Sequence, residues 1–273
     1  MARAPRERLR WLEPPPHLRD GFAQIRARLE AITVRGGAVR MYAARRRSVF
    51  RFDDPELGRL TIKEMVNPSL ARQLWYGWFS EHPAVREYRN AVEFEARGGV
   101  TPGVLAAVLE LGALGGLERV LLFTRWLEGA RTLTGWLAGR PGPPAPGLLA
   151  TLASQLVAAA RIGLVHGRHS SENLLVVTRG SEPILYTIDF PFAHLGSGLD
   201  PAGLVRDVAR IAHWLLHEKV WPRETVRALF EAVASEVCAE TGPRMALAAQ
   251  MASELEAVTN ALASRRGKRL LAR

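Results

Sequence analysis

Residues 163–177 read GLVHGRHSSENLLVV and residues 183–190 read PILYTIDF. An apolar helix over 148–162 runs into Gly163, where a glycine favours a helix stop. A polar loop follows, with His166, Arg168, His169, Glu172 and Asn173 in eight residues. It opens into a strand, NLLVVT, which a second strand follows, ending at Ile188-Asp189-Phe190. Loops of this kind hold metal-binding amides and catalytic acids in phosphotransferases. The ordinary alternative is a His/Ser/Asn-rich turn beside a common strand-end aspartate.

Downstream, Leu204, Val208, Ile211 and Leu215 form an i, i+4, i+7, i+11 stripe, which predicts a helix over 204–217. Leu247, Met251, Leu255, Val258 and Leu262 predict another. Upstream, RPGPPAPG from residue 140 breaks the chain. Before it the pattern is mainly β: GAVRMYAARR (37–46), SVFRFDD (48–54) and GRLTIKEMV (58–66), with turn chemistry at DDPELG. VTPGVLAAVLEL (100–111) and ERVLLFTRWLEG (118–129) predict two more strands around a Gly-rich turn, and one helix is expected over 83–97, stopped by Gly98-Gly99. The expected organisation is a basic extension over 1–30, a β-rich lobe over 31–128 and a helical lobe over 129–273. LWYGWF (74–79) has two readings: an aromatic patch for a membrane surface, or core and lobe packing, the ordinary role of such a cluster.

The chain has 273 residues, 48% apolar and 23% charged, which is ordinary globular composition and excludes a disordered or fibrous chain. Its single cysteine, Cys238, excludes an intrachain disulfide and a cysteine zinc site, and fits a reducing cytoplasmic setting. Apolar runs such as 103–109 and 148–160 are too short or interrupted to span a bilayer, and the N-terminus lacks the apolar stretch of a secretory signal. The net charge is +10, with 37 basic residues against 27 acidic. Such a surplus favours anionic partners: nucleotides, phosphorylated sugars, nucleic acid or an acidic membrane face. No aromatic-interleaved basic ribbon is present, which argues against nucleic acid.

Two further residues stand out. Lys63 ends the alternating strand LTIKEM in a chain whose other lysines are only Lys219 and Lys268. Lysine is a compact point charge suited to phosphate oxygens. Glu87, at 100° per residue, falls between Ala91 and Phe94 on the apolar face of its helix. A carboxylate there needs a cation, and Lys63 is the candidate.

Taken in order, Lys63, Glu87, His166 with Asn173 seven residues on, and Asp189-Phe190 resemble the protein-kinase-like fold, most closely the lipopolysaccharide kinase (Kdo/WaaP) family. SVFRF, LTIKE, AVREYRNA, GGVTPGVL, GLVHG, ENLLV and TIDF carry the resemblance, which spans roughly residues 38–217. It implies an α+β, two-lobed protein-kinase-like fold: an N-terminal antiparallel β lobe with one main helix and a C-terminal helical lobe. It also implies ATP and Mg²⁺ as cofactors. Lys63 would meet the α/β-phosphates and pair with Glu87, Asn173 and Asp189 would hold Mg²⁺, and residues 122–128 would meet adenine. Asp207 would brace the catalytic loop, although pairing with Arg210 three residues on is an equal alternative.

The departures are specific. The family places an Asp five residues before the metal-binding Asn, and here that position is Arg168, which cannot serve as a base. His169 and Glu172 are the neighbours that could substitute. Pro191 replaces the glycine of D-F-G, and AARRRS (43–48) replaces a Gly-rich phosphate loop, leaving Arg45 to Arg47 to reach phosphates. The resemblance implies two functions: ATP/Mg-dependent phosphotransfer to a sugar hydroxyl of an anionic envelope glycolipid at the inner-membrane surface, or a catalytically impaired kinase-fold protein that binds nucleotide or a partner and regulates envelope glycolipid assembly.

Overall fold

The computed structural model describes residues 8–35, 38–44, 46–112, 114–139, 146–180 and 182–271. Arg45, residues 1–7, most of the 140–147 breaker and the end of the basic C-terminal tail lie outside the described residues. The chain divides into two compact units, residues 1–96 with 101–127, and residues 97–100 with 128–273.

The N-terminal unit is built on a six-stranded antiparallel sheet. In chain order it contains β1 (Leu9–Trp11), α1 (Phe22–Arg35), β2 (Val39–Ala44), β3 (Arg47–Asp54), β4 (Gly58–Val66), α2 (Leu70–Leu74), α3 (Pro83–Ala96), β5 (Val104–Leu111) and β6 (Leu117–Arg125). The strand order is β1-β5-β6-β4-β3-β2. Along β4 the side chains alternate as the pleat requires. Leu60 and Ile62 enter a core with Phe50, Leu105, Val108, Leu121, Phe123 and two residues of α1, Leu29 and Ile32. Met65 belongs to a second cluster, with Ala84 of α3, Leu117 and Val120. Lys63 shares the pleat phase of Met65.

The sheet is thus covered on both faces, and this corrects the expected 1–30 extension over its described residues, 8–30. Trp11 pairs in register with Val108 on β5, and its indole donates to Glu30 of α1 at 3.1 Å. These residues belong to the lobe. The covering helix explains why five consecutive β5 residues, Val104 to Val108, are all buried: a strand facing cores on both sides reads as a continuous apolar run.

A second correction concerns residues 74–79. α2 continues as a π-helical turn, Trp75–Phe79. Tyr76 packs under it against the Met65 cluster, but Trp75, Trp78 and Phe79 are 56%, 67% and 74% exposed. They are not core.

The C-terminal unit contains, in chain order, β7 (Arg131–Thr132), α4 (Leu133–Ala138), α5 (Pro146–Arg161), β8 (Leu164–Val165), β9 (Leu174–Arg179), β10 (Glu182–Thr187), β11 (His194–Leu195), α6 (Pro201–His217), α7 (Arg223–Val237) and α8 (Thr241–Leu271). Leu152 and Val157 of α5, the Leu204/Val208/Ile211/Leu215 stripe of α6, Leu229 and Phe230 of α7 and Met251 of α8 make one core. β9 and β10 pair antiparallel, with β7 on the far side of β9, and β8 pairs with β11. Among the described residues no helix is long and apolar enough to cross a membrane.

Candidate functional site

In the N-terminal unit, Lys63 Nζ lies 2.7 Å from Glu87 Oε1 and 2.9 Å from Oε2. The side chains are 18% and 5% exposed, so the carboxylate is nearly withdrawn from water and held by the ammonium. The geometry follows from two periodicities: the pleat turns Lys63 toward α3, and the 3.6-residue repeat turns Glu87 back toward the sheet with buried Tyr88, Ala91 and Phe94. The adjacent strand residue, Glu64, faces elsewhere and joins a buried triad with Arg119 and Glu110. Arg47, at the start of β3, is exposed, and its charge helps hold the His82 imidazole down at a pKa of about 4, mainly a consequence of burial.

In the C-terminal unit, β8 delivers the chain into the 166–173 loop, which α6 braces. The Asp207 carboxylate accepts from the backbone N–H of His166 at 2.5 Å and of Gly167 at 3.1 Å. Of the two roles open to Asp207, the backbone brace is present. Burial pushes its carboxyl up to about 6, against the lowering effect of the two N–H donors. Gly167 has φ of +74°, and a Cβ there would lie 2.6 Å from the Phe192 carbonyl oxygen, so only glycine fits this turn.

His166 is fully buried, and its Nε2 sits 2.9 Å from the Ile188 carbonyl oxygen, which ties the loop to the end of β10. The β9–β10 ladder extends by one bond, Ile188 N–H to Asn173 O at 3.0 Å, so Asn173 and Asp189 stand at the same end of one antiparallel pair. Asn173 Nδ2 donates to the Arg168 carbonyl at 3.1 Å. That bond orients the amide and leaves Oδ1, the hard oxygen Mg²⁺ prefers, for another partner. Asp189 has φ of +67°, a left-handed conformation that costs a non-glycine residue about 1–3 kcal/mol and concentrates at functional sites. The amide oxygen and carboxylate therefore suit Mg²⁺ in donor type. Among the described residues no cluster of three or more His, Cys, Asp or Glu side chains suits a metal ion, so the pair would depend on phosphate oxygens and water to complete a shell.

Arg168 and the two neighbours that could substitute for a base, His169 and Glu172, fare differently. Arg168 is exposed, with its guanidinium carbon 3.6 Å from the centroid of the Phe192 ring, a close cation–π stack. His169 is 4% exposed and stacks on His166, ring centroids 4.4 Å apart and nearly parallel. It lines a cavity of about 10 Å³ with Leu156, Ala160, Leu204 and Asp207. Burial, then the neighbouring His166 and Arg210, hold its pKa well below the usual imidazole value. The structure thus corrects the expectation that His169 could serve as a relocated base: its ring belongs to the interior. No sequence pattern marked this, because a loop histidine is normally solvated. Glu172 is exposed, in the short 3₁₀ turn Ser171–Asn173.

These elements define a protein-kinase-like fold. Among solved structures the chain is similar to WaaP in complex with acyl carrier protein, with a TM-score of 0.54 and 15% identity over 90% of this chain and 99% of that one. It is also similar to the kinase domain of Mycobacterium tuberculosis PknI, with a TM-score of 0.45 and 16% identity over 80% and 96% of the two chains. No family model and no curated protein matches the chain by sequence.

Proposed function

We propose that this chain is a kinase-fold protein of the lipopolysaccharide-kinase type that binds ATP·Mg²⁺ and whose phosphoryl transfer is weak or lost. Lys63, held by Glu87, would contact the nucleotide phosphates, with Arg47 as a further phosphate contact. Asn173 and Asp189 would hold Mg²⁺, which would neutralise charge on the β- and γ-phosphates. The observation that carries the impaired reading is Arg168: a permanent cation stands at the position of the proton acceptor, and His169, the nearest imidazole, is buried. General-base catalysis is typically worth about 10²–10⁴-fold. Its loss would leave a nucleotide binder with slow chemistry, suited to regulating glycolipid assembly.

The second reading is an active kinase that phosphorylates a sugar hydroxyl of an envelope glycolipid. The preserved Lys63–Glu87 pair and the Asp207-braced loop favour it, since phosphoryl transfer depends mainly on positioning and electrostatics. In that case Arg168 would stabilise transferring charge. The kinase-like fold shared with WaaP, whose structure holds acyl carrier protein, also makes a protein partner a reasonable addition to nucleotide and glycolipid.

The deciding experiment measures ATP·Mg²⁺ binding by calorimetry and phosphoryl transfer to lipopolysaccharide core acceptors, for the native chain and for Arg168→Asp. Binding with slow native turnover that Arg168→Asp raises supports the impaired reading. Fast native turnover abolished by Arg168→Asp overturns it and makes Arg168 catalytic. Absence of nucleotide binding sinks both readings.

A further inference from the structure

The α2–π-helical segment, residues 70–79, is docked on one side and bare on the other. Its docked side is specific. Gln73 donates to the Asn67 carbonyl at 3.0 Å, Asn67 Nδ2 donates to Leu117 O at 2.9 Å, and Tyr76 packs edge-on to His82 with ring centroids 4.8 Å apart. Gly77 lies so close to the β5–β6 turn that a Cβ would meet the Gly115 carbonyl oxygen at 2.7 Å. The segment is therefore seated by backbone-to-backbone contact.

The bare side is apolar. Leu70, Trp75, Trp78 and Phe79 are all more than half exposed, as is Leu114 on the β5–β6 turn. Trp75 and Phe79 pack against each other at 6.0 Å between ring centroids, and the Trp78 indole lies over Gly115, next to Leu114. Helix and turn thus present neighbouring exposed apolar side chains, a grouping that scattered single surface residues do not make.

The charges around it carry one sign in excess. Arg72 is exposed on α2 itself, and Arg47, beside His82, is exposed at the start of β3. Arg86 and Arg89 follow on α3 and share one acid, Glu81. The other nearby acid is Glu118, against Gly112. The neighbouring Arg119 lies between Glu64 and Glu110 inside the unit, one cation against two carboxylates. With that triad counted, five arginines stand against four glutamates around a tryptophan-rich face, on a chain of net charge +10.

We propose that this face, Leu70, Trp75, Trp78, Phe79 and Leu114 with Arg72 at its rim, docks the protein on the surface of an anionic phospholipid bilayer. The indoles and the phenyl ring enter the headgroup–acyl boundary, where amphipathic rings are favoured, and the arginines supply the attraction to lipid phosphate. An acidic protein would satisfy the charges but needs a matching concave apolar face; a bilayer accepts convex aromatics without one. The proposal stands apart from the nucleotide reading. A chain that sediments with vesicles but fails to bind ATP·Mg²⁺ would keep it and sink the other.

The test is co-sedimentation of the purified chain with vesicles of phosphatidylcholine containing phosphatidylglycerol, beside vesicles of phosphatidylcholine alone. The chain is expected on the anionic vesicles, with binding weakened by salt. The triple variant Trp75→Ser/Trp78→Ser/Phe79→Ser should lose binding by more than about tenfold with an unchanged melting temperature, because those side chains are already exposed. Arg72→Glu, which alters no aromatic, should lose several-fold, and provides the result should the triple variant unfold. Equal binding to neutral vesicles, or anionic binding that both variants retain, overturns the proposal. So does an absence of vesicle binding together with self-association that the triple variant abolishes, which would assign the face to a second copy.

Discussion

The Lys63–Glu87 pair and the 166–173 loop are two regions set up by the same kind of expectation, and they differ in what the chain kept. In the first, both reacting groups and their scaffold are present: an ammonium and a carboxylate 2.7 Å apart, each turned inward by its element's own period. In the second, the scaffold is in place, and it is the impaired reading proposed above that takes the chemistry to be lost. Asp207 still holds the loop amides, His166 still bonds the Ile188 carbonyl, and Gly167 still makes a turn that only glycine fits. Yet the residue presented at position 168 is an arginine stacked on Phe192. The shape of the loop is therefore separable from the side chain it presents. The loop is held by backbone hydrogen bonds that are indifferent to the side chain at position 168, whereas the ion pair is held by the functional groups themselves.

Mutations that attack each region should show this difference. The largest effect is expected at the pair. Lys63→Met leaves the Glu87 carboxylate buried without its cation, and breaking a buried pair from one side costs about 3–5 kcal/mol. Denaturant titration should show that loss, and adding Glu87→Leu should restore most of it. A double variant no more stable than Lys63→Met would mean that the carboxylate is held by something other than the lysine.

Next is Asp207→Ala, which strands two loop N–H groups. The His166 donor is buried and the Gly167 donor only partly so; an unsatisfied buried donor costs about 1–3 kcal/mol and a partly buried one less, so a loss of about 2–4 kcal/mol is expected, with faster amide exchange at His166 and Gly167. Unchanged exchange there would show that the brace is not what holds the loop.

Acid should have a smaller, distributed effect. Burial lowers the folded-state pKa values of His82, to about 4, and of His166 and His169. A base whose folded pKa is depressed contributes stability that is present above its unfolded value, about 6.5, and is lost as the pH falls toward the folded value. Asp207, raised to about 6, acts oppositely: its contribution is present below about 3.8 and lost as the pH rises through 6. Three histidines against one aspartate predict a melting temperature that falls between pH 6.5 and 4. A flat profile in that window would contradict the burial of the imidazoles.

The smallest change is expected at Arg168→Ala. It removes one cation–π stack at an exposed position, worth about 0.5–1 kcal/mol, so thermal denaturation should barely move while Asp207→Ala moves it clearly. A loss at Arg168 as large as that at Asp207 would make the arginine part of the scaffold and erase the contrast between the two regions.

Much of this was legible in the chain because it is local. Alternation and apolar runs between turn signals located β2 to β6, and apolar helical segments located α3, α5 and α6. The fixed count from Arg168 to Asn173 set the loop register, and the two periods aimed Lys63 and Glu87 at each other before any fold was known. Only the tertiary structure decided what depends on distant surfaces. Residues 9–11 make a strand because β5 offers them an edge, and α1 belongs to the lobe because the sheet has a second face to cover; the uninterrupted apolar run in β5 was the one local trace of it. His169 is interior and Trp78 exterior for the same reason. Burial is a property of what packs around a residue: α6 and the end of α5 close over the histidine, and among the described residues no element covers the tryptophan.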